Sequence, residues 1–225
     1  MATKLKFNRF RKDVLDASLW LSSQGYFGSS RGSGGNVSVR IDDKTMAVTP
    51  SGVAYRDMSD DDICIIGLDL AACQVKRNRR PSMESGMHSI IYRKRSDVNA
   101  IVHTHQIYGS VFALINTPIP CLFDEVSLSL GPVIEVVPYA FSGSDTLARN
   151  VGRTLAGGAN ACIIQNHGIV ALGRTLDEAI LHAELLEKVA HIYCLALSTG
   201  KPVTTLPESS VQKIARMHKA QAVKK

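Results

Sequence analysis

The feature that most limits how this chain can fold is that its short apolar segments come in adjacent pairs. Residues 161–165 and 169–172 are too short for ordinary helices and are separated only by Asn166-His167-Gly168, so they read as two strands around a polar turn. Residues 36–40 alternate as a strand, 45–49 repeat the signal, and Asp42-Asp43 marks the turn between them. Residues 63–66 and 72–76 make a third, weaker pair, and 99–103 and 133–137 read as single strands. Helical spacing predicts helices over 8–24, 84–94, 105–114, 144–155, 175–198 and 208–219. Ser82, Ser144 and Thr175 stand where caps are expected, and Thr175 with Glu178 forms a capping-box pattern. Strands in neighbouring pairs do not suit a doubly wound parallel sheet, which needs strict strand–helix alternation. The expectation is an α/β sandwich, a mixed or antiparallel sheet covered by helices.

At 225 residues, without a low-complexity linker or an internal repeat, the chain is expected to form a single domain over 1–225. Its longest apolar runs are far too short to span a bilayer, and the N-terminus carries no apolar signal segment, so a cytoplasmic protein with no membrane partner is expected. The five cysteines are odd in number, form no Cys-x-x-Cys pair and mostly sit among apolar residues, which fits buried free thiols better than disulfides or a cysteine metal site. The net charge of +6 gathers in Lys4–Lys12, Lys76–Arg80 and the tail with Lys219, Lys224 and Lys225. No nucleic-acid-binding signature accompanies these clusters, so no nucleic-acid partner is expected. A basic balance also suits a small anionic substrate.

His103 and His105 occupy i and i+2 where a strand gives way to a helix, so both imidazoles can face one ion. His167, in the polar turn between two apolar strands, offers a third ligand. Three protein ligands with an open fourth position is the catalytic form of a zinc site. The residues alone leave open two hydrogen-bonding histidines at a strand end and an incidental turn histidine. His88, His182, His191 and His218 read as structural or surface groups, with His218 placed where a C-terminal segment could close over a site. Glu84, at a helix start, is either a partner of the helix dipole or, if it faces a metal, a general acid/base. Two loops, residues 32–36 and 49–52, could form an anion nest, and Ser82 at the next helix start could add donors. Neither loop is a Walker loop or a dinucleotide fingerprint.

Five segments in order, Gly-Gly-Asn-Val-Ser-Val-Arg at 34–40, Thr-Pro-Ser-Gly at 49–52, Pro-Ser-Met-Glu at 81–84, Asp-Val-Asn-Ala-Ile-Val-His-Thr-His at 97–105 and Gln-Asn-His-Gly at 165–168, resemble the class II aldolase/adducin family, in particular its L-fuculose-1-phosphate aldolase branch. The resemblance covers about residues 8–200, leaving 201–225 as a C-terminal helix and tail. It implies a three-layer α/β/α sandwich with a central mixed, largely antiparallel sheet, and a homotetramer with active sites at subunit interfaces. It implies Zn2+, or another divalent ion such as Mn2+ or Co2+, on His103, His105 and His167, with Glu84 as the acid/base. Gly35, Asn36, Ser51, Gly52 and Ser82 match positions that hold the substrate phosphate.

The activity implied is reversible retro-aldol cleavage of a ketose 1-phosphate through a metal-bound enediolate, giving dihydroxyacetone phosphate and an aldehyde. The same family also implies alternatives: a 3-oxo-tetronate 4-phosphate decarboxylase, a dehydratase acting on methylthioribulose phosphate, or a sugar-phosphate epimerase. The last is less favoured, because Ser-Met-Glu stands where its Ser-Ser-Asp is expected. A non-catalytic adducin-like binding module is an alternative of another class. Three departures leave the substrate open, either a phosphorylated sugar or a related hydroxy-carbonyl acid. Met83 replaces a second serine, Asp124 stands near an expected tyrosine, and the tail after residue 200 has no tyrosine.

Overall fold

The computed structural model describes residues 2–29 and 31–223. Ser30 of the Gly/Ser-rich loop and Lys224 and Lys225 of the basic tail lie outside the described residues. In chain order the elements are α1 (Ala2–Ser23), β1 (Asn36–Arg40), β2 (Thr45–Val48), β3 (Cys64–Gly67), β4 (Ala72–Gln74), α2 (Ser85–Lys94), β5 (Ala100–Thr104), α3 (Ile107–Ile115), α4 (Asp124–Leu130), β6 (Val136–Val137), α5 (Asp145–Leu155), β7 (Ala161–Ile164), β8 (Gly168–Gly173), α6 (Leu176–Ser198) and α7 (Glu208–Val223).

The strands form one sheet in the order β4-β3-β2-β1-β5-β8-β7-β6. All neighbours are antiparallel except β6 and β7, whose connection carries α5 and therefore returns the chain in the same direction. The central strands look uniformly apolar because both faces are covered, and the period-2 alternation decides which layer each residue joins. Ala100, Val102, Ile163 and Ile169 pack with Val14 and Leu21 of α1, Phe112 of α3, Leu130 of α4 and Leu186 of α6. Ile101, Cys162, Ile164 and Val170 point the other way, onto Met87 and Ile91 of α2 and Leu147 and Val151 of α5. The result is the expected three-layer α/β/α sandwich on a mixed, largely antiparallel sheet.

Several local expectations need correction. The seven-residue α4 is too short to show a helical period and was not anticipated. The strand expected over 133–137 shrinks to two residues, because Ile134 bridges Ile119 instead. Thr175 does cap α6, its hydroxyl accepting from Glu178 N at 3.2 Å. Its capping box is only half made, since the Glu178 carboxylate accepts from Arg174 N at 2.6 Å. Cys73 is exposed, unlike the buried Cys64, Cys121 and Cys162. In the basic run, Lys76 and Arg79 are held on the buried Asp62 at 3.0 and 2.7 Å, so that part of the charge is structural. No helix among the described residues is long and apolar enough to cross a membrane.

Candidate metal centre

The site forms at one end of the central strands. His103 sits near the end of β5, opposite Asn36 on β1 and Val170 on β8, and is fully buried. Its ring shares the α2/α5 side of the sheet with Ile101. His105 follows just past the strand end, its N–H donating to Tyr26 O at 2.8 Å. His167 belongs to the turn between β7 and β8, where Asn166 takes a left-handed φ of 55°, a conformation asparagine tolerates better than most residues. Gly168 lets this turn approach β5: a Cβ there would run into the Thr104 carbonyl and lie 2.6 Å from the His105 ring.

These constraints bring three Nε2 atoms together. His103 Nε2 lies 3.2 Å from His167 Nε2 and 3.2 Å from His105 Nε2. All three ligand atoms fall within 4.8 Å of one another. The His103 Nδ1 faces Ile169 O at 2.7 Å, so an Nδ1–H donated to that carbonyl would leave Nε2 as the atom that gives up its proton to ligate an ion. A tetrahedral ion at about 2.0–2.1 Å from each nitrogen requires nitrogen separations of about 3.3 Å. The three imidazoles therefore fit a divalent transition ion.

Glu84 closes the fourth side. It is buried, and each carboxylate oxygen meets one donor and one imidazole. Its Oε2 accepts from Asn36 Nδ2 at 2.9 Å and lies 3.1 Å from His103 Nε2. Its Oε1 accepts from Ser142 Oγ at 3.0 Å and lies 3.6 Å from His167 Nε2. This explains a second correction to the expected caps. Helix α2 begins at Ser85, so Glu84, not Ser82, occupies the N-cap position, and its side chain caps nothing because it is turned to the histidines.

The electrostatics follow from burial and proximity. Burial opposes charge on Glu84, but His103 and the hydrogen bonds outweigh it and hold the carboxyl below its usual range. Burial pulls His103 down, and the neighbouring Glu84 carboxylate more than reverses this, raising it. Burial and the His103 charge push His105 down to about 3 and His167 down to about 4. Those two rings are thus neutral at pH 7, the form a metal ion requires.

Of the loop residues expected to hold a phosphate, Gly35, Asn36 and Ser82 contact this cluster, with changed duties. Asn36 spends its amide N–H on Glu84. Gly35 has φ 69°, and a Cβ there would collide with the His103 carbonyl and the Phe27 ring. The 49–52 turn and the 80–84 segment are zipped together: Ser51 N donates to Arg80 O at 2.8 Å and Ser82 N to Thr49 O at 3.0 Å. Two backbone donors of the expected anion nest are therefore engaged. Ser51 and Gly52 are exposed, and the Ser82 hydroxyl accepts from Glu84 N at 3.3 Å.

The other histidines are not part of the ligand cluster, although His88 lies one helical turn past Glu84, close enough to feel its charge and that of His103. His88 is fully buried with Nδ1 on Ser38 Oγ at 2.6 Å. His182 faces Leu172 O, and His191 stacks on Tyr108. His218 does not close over the centre. Both its ring nitrogens face carbonyl oxygens, Leu128 O at 2.8 Å and Gly158 O at 2.9 Å, which anchors α7 beside α4. Ser142 was missed by sequence reasoning. It is one hydroxyl in a Phe-Ser-Gly-Ser turn, and nothing local marks it as a neighbour of Glu84.

Three imidazoles beside a buried carboxylate, on a helix-covered sheet, make a donor set that could hold a metal ion. The profile of the class II aldolase and adducin N-terminal domain matches residues 12–194, and the chain belongs to that family. It is 33% identical over 190 residues to the 5-deoxy-D-ribulose 1-phosphate aldolase of Bacillus thuringiensis serovar kurstaki, covering 84% of this chain and 87% of the relative. It is 32% identical over 209 residues to the 5-methylthioribulose-1-phosphate/5-deoxyribulose-1-phosphate aldolase of Rhodospirillum rubrum, covering 93% and 90%. Its fold matches a solved L-fuculose 1-phosphate aldolase with a TM-score of 0.84 at 29% identity, over 94% of this chain and 96% of that one. The protein is an enzyme of the class II aldolase type, a lyase.

Proposed function

We propose that this enzyme is a zinc-dependent aldolase that reversibly cleaves a ketose 1-phosphate to dihydroxyacetone phosphate and an aldehyde. The observation that carries the reading is the convergence of three Nε2 atoms on a carboxylate that itself caps nothing. His103, His105 and His167 would hold the ion, and an all-imidazole set suits zinc better than an oxygen-preferring ion. When bound, a divalent ion supplies a Lewis acid for the negative charge that develops on the substrate oxygens. Glu84 delivers a proton to C3 after the C3–C4 bond breaks, and removes it in the synthetic direction. Over the cleavage, the proton that the C4 hydroxyl releases would be taken up by the ionised Glu84 carboxylate and passed to C3, so the reaction balances without a redox partner. Ser51, Gly52, Ser82, Gly35 and Asn36 border the side on which the phosphate would sit.

We also propose that residues 1–225 act as one domain and assemble as a homotetramer with active sites at the interfaces. Large apolar side chains flank the centre uncovered: Ile107, two residues past His105, is 71% exposed, and Phe141, next to Ser142, is 72% exposed. Light scattering should give four chains per particle; a fully active monomer would remove the interface from this reading.

The deciding experiment offers zinc-loaded protein a panel of 5-deoxyribulose, 5-methylthioribulose and fuculose 1-phosphates together with 3-oxo acid phosphates. Dihydroxyacetone phosphate should form in step with aldehyde from at least one ketose. Carbon dioxide from an oxo acid, without dihydroxyacetone phosphate, would replace the aldolase by a decarboxylase. Neither product from any member would overturn both.

A further inference from the structure

Glu84 is gripped from two sides by groups of different origin. Asn36 reaches Oε2 from β1, inside the sheet. Ser142 reaches Oε1 from the connection between β6 and α5, and its hydroxyl is the donor on that oxygen at 3.0 Å. A carboxylate that must give and take a proton at one carbon needs a fixed orientation, because misplacement by about an ångström can cost about a hundredfold in rate.

The segment carrying Ser142 is built to be rigid. At one end Tyr139 N donates to Gln165 Oε1 at 3.1 Å, and Gln165 N donates to Val137 O at 3.0 Å, which ties the segment to the turn that bears His167. At the other end Ser144 N donates to Phe141 O at 3.0 Å, and the Ser144 hydroxyl caps α5 by accepting from Leu147 N at 3.2 Å. Between them Gly143 takes φ 75° and packs on the residue before Glu84: a Cβ there would sit 3.0 Å from Met83 O and 3.4 Å from Met83 Cβ. One short segment thus registers the His167 turn, the start of α5 and the Glu84 backbone against one another, with the Ser142 hydroxyl at the point where they meet.

We propose that Ser142 is a positioning residue for the reaction: its hydroxyl orients the Glu84 carboxylate toward the reacting carbon without touching the metal ligands. This rests on the reading of Glu84 as the proton carrier. The test compares Ser142→Ala, Ser142→Thr, Glu84→Gln and the Ser142→Ala/Glu84→Gln double variant in the zinc-loaded enzyme with its best ketose 1-phosphate. Metal content and thermal midpoint are measured in parallel. Ser142→Ala should keep its metal and melting temperature, lose about tenfold in kcat and keep KM within about twofold, the size of effect expected for one hydrogen bond to a charged group. Ser142→Thr, which keeps the hydroxyl, should restore kcat to within about threefold of wild type. In the Glu84→Gln background, Ser142→Ala should change the residual rate by less than about twofold, because groups acting through one another are not additive.

A wild-type kcat in Ser142→Ala, an equal loss in Ser142→Thr, loss of metal in Ser142→Ala, or full additivity in the double variant would each overturn the proposal. If Glu84→Gln alone kept full turnover, the acid/base reading itself would fall. If Glu84→Gln lost turnover while Ser142→Ala did not, only the role of Ser142 would.

Discussion

At the scale of single residues, the candidate ligands divide into one that also holds the fold and one whose role would be confined to the ion. His103 is fully buried, donates toward Ile169 O and stands beside the buried Glu84. His105 is only partly buried, its ring reaching inward from beyond the end of β5. His103→Ala should therefore lose the metal and also destabilise the apo-protein by about 2–4 kcal/mol, since it strands a buried carboxylate and a carbonyl. His105→Ala should lose the metal with a much smaller change in apo stability. Metal analysis with urea unfolding of both apo-variants checks this, and equal destabilisation would contradict the distinction. Glu84→Gln should retain the ion while turnover falls by about a hundredfold or more, read from metal content and initial rates. The three histidines and Glu84 were all visible in the sequence as candidates. Asn36 was visible too, but as a phosphate holder, and its bond to Glu84 was not. Nothing in a linear pattern shows that β1 and the start of α2 meet.

At the scale of elements, glycines set how closely loops approach the site, and a buried ion-pair cluster locks loops elsewhere. Gly168 exists so that β8 can run against Thr104 and His105. Gly168→Ala should cost about 1–3 kcal/mol and weaken metal binding together, because the displaced turn carries His167. Calorimetry and a zinc titration on the same variant would show whether the two losses coincide. Asp62 plays the same locking role away from the site, accepting from the Ser59 backbone and hydroxyl, Lys76 and Arg79. Burial works against its charge, but these partners prevail and hold the carboxyl below its usual range. A depressed carboxylate contributes stability above its unfolded pKa and loses it as pH falls. Asp62→Asn should thus cost about 2 kcal/mol at pH 7, and the gap to wild type should narrow as pH drops below about 4. Urea unfolding at pH 7, 5 and 3.5 measures it; a gap independent of pH would refute the assignment. The caps at Ser144 and Thr175 were legible because a cap is a local event. The expected cap at Ser82 failed because Glu84 answers to the distant histidines instead, and α4 was lost because seven residues carry too little periodicity to be seen.

At the scale of the whole molecule, two layers of apolar side chains grip one eight-stranded sheet, and nearly all of that packing is independent of the three candidate ligands. The fold should therefore outlast the ion. Chelation should abolish activity, leave the far-ultraviolet circular dichroism unchanged and lower the melting temperature only by the linkage term for a bound ligand. Loss of secondary structure on chelation would show that the centre is part of the folding core. The sequence by itself determined the paired strands, their antiparallel habit, most helices with two of their caps, and the three histidines as candidate ligands, because alternation, turn chemistry and local spacing act over a few residues. It also carried the family resemblance, through five short segments in order. Only the tertiary structure decided that His167 meets His103 and His105 at ligand spacing, that the Glu84 side chain turns to them instead of capping its helix, that two backbone donors of the expected anion nest are already engaged, and that Ser142 grips the carboxylate. Each of these depends on contacts between residues far apart in the chain, and such contacts are fixed by how the sheet orders its strands and packs its helices.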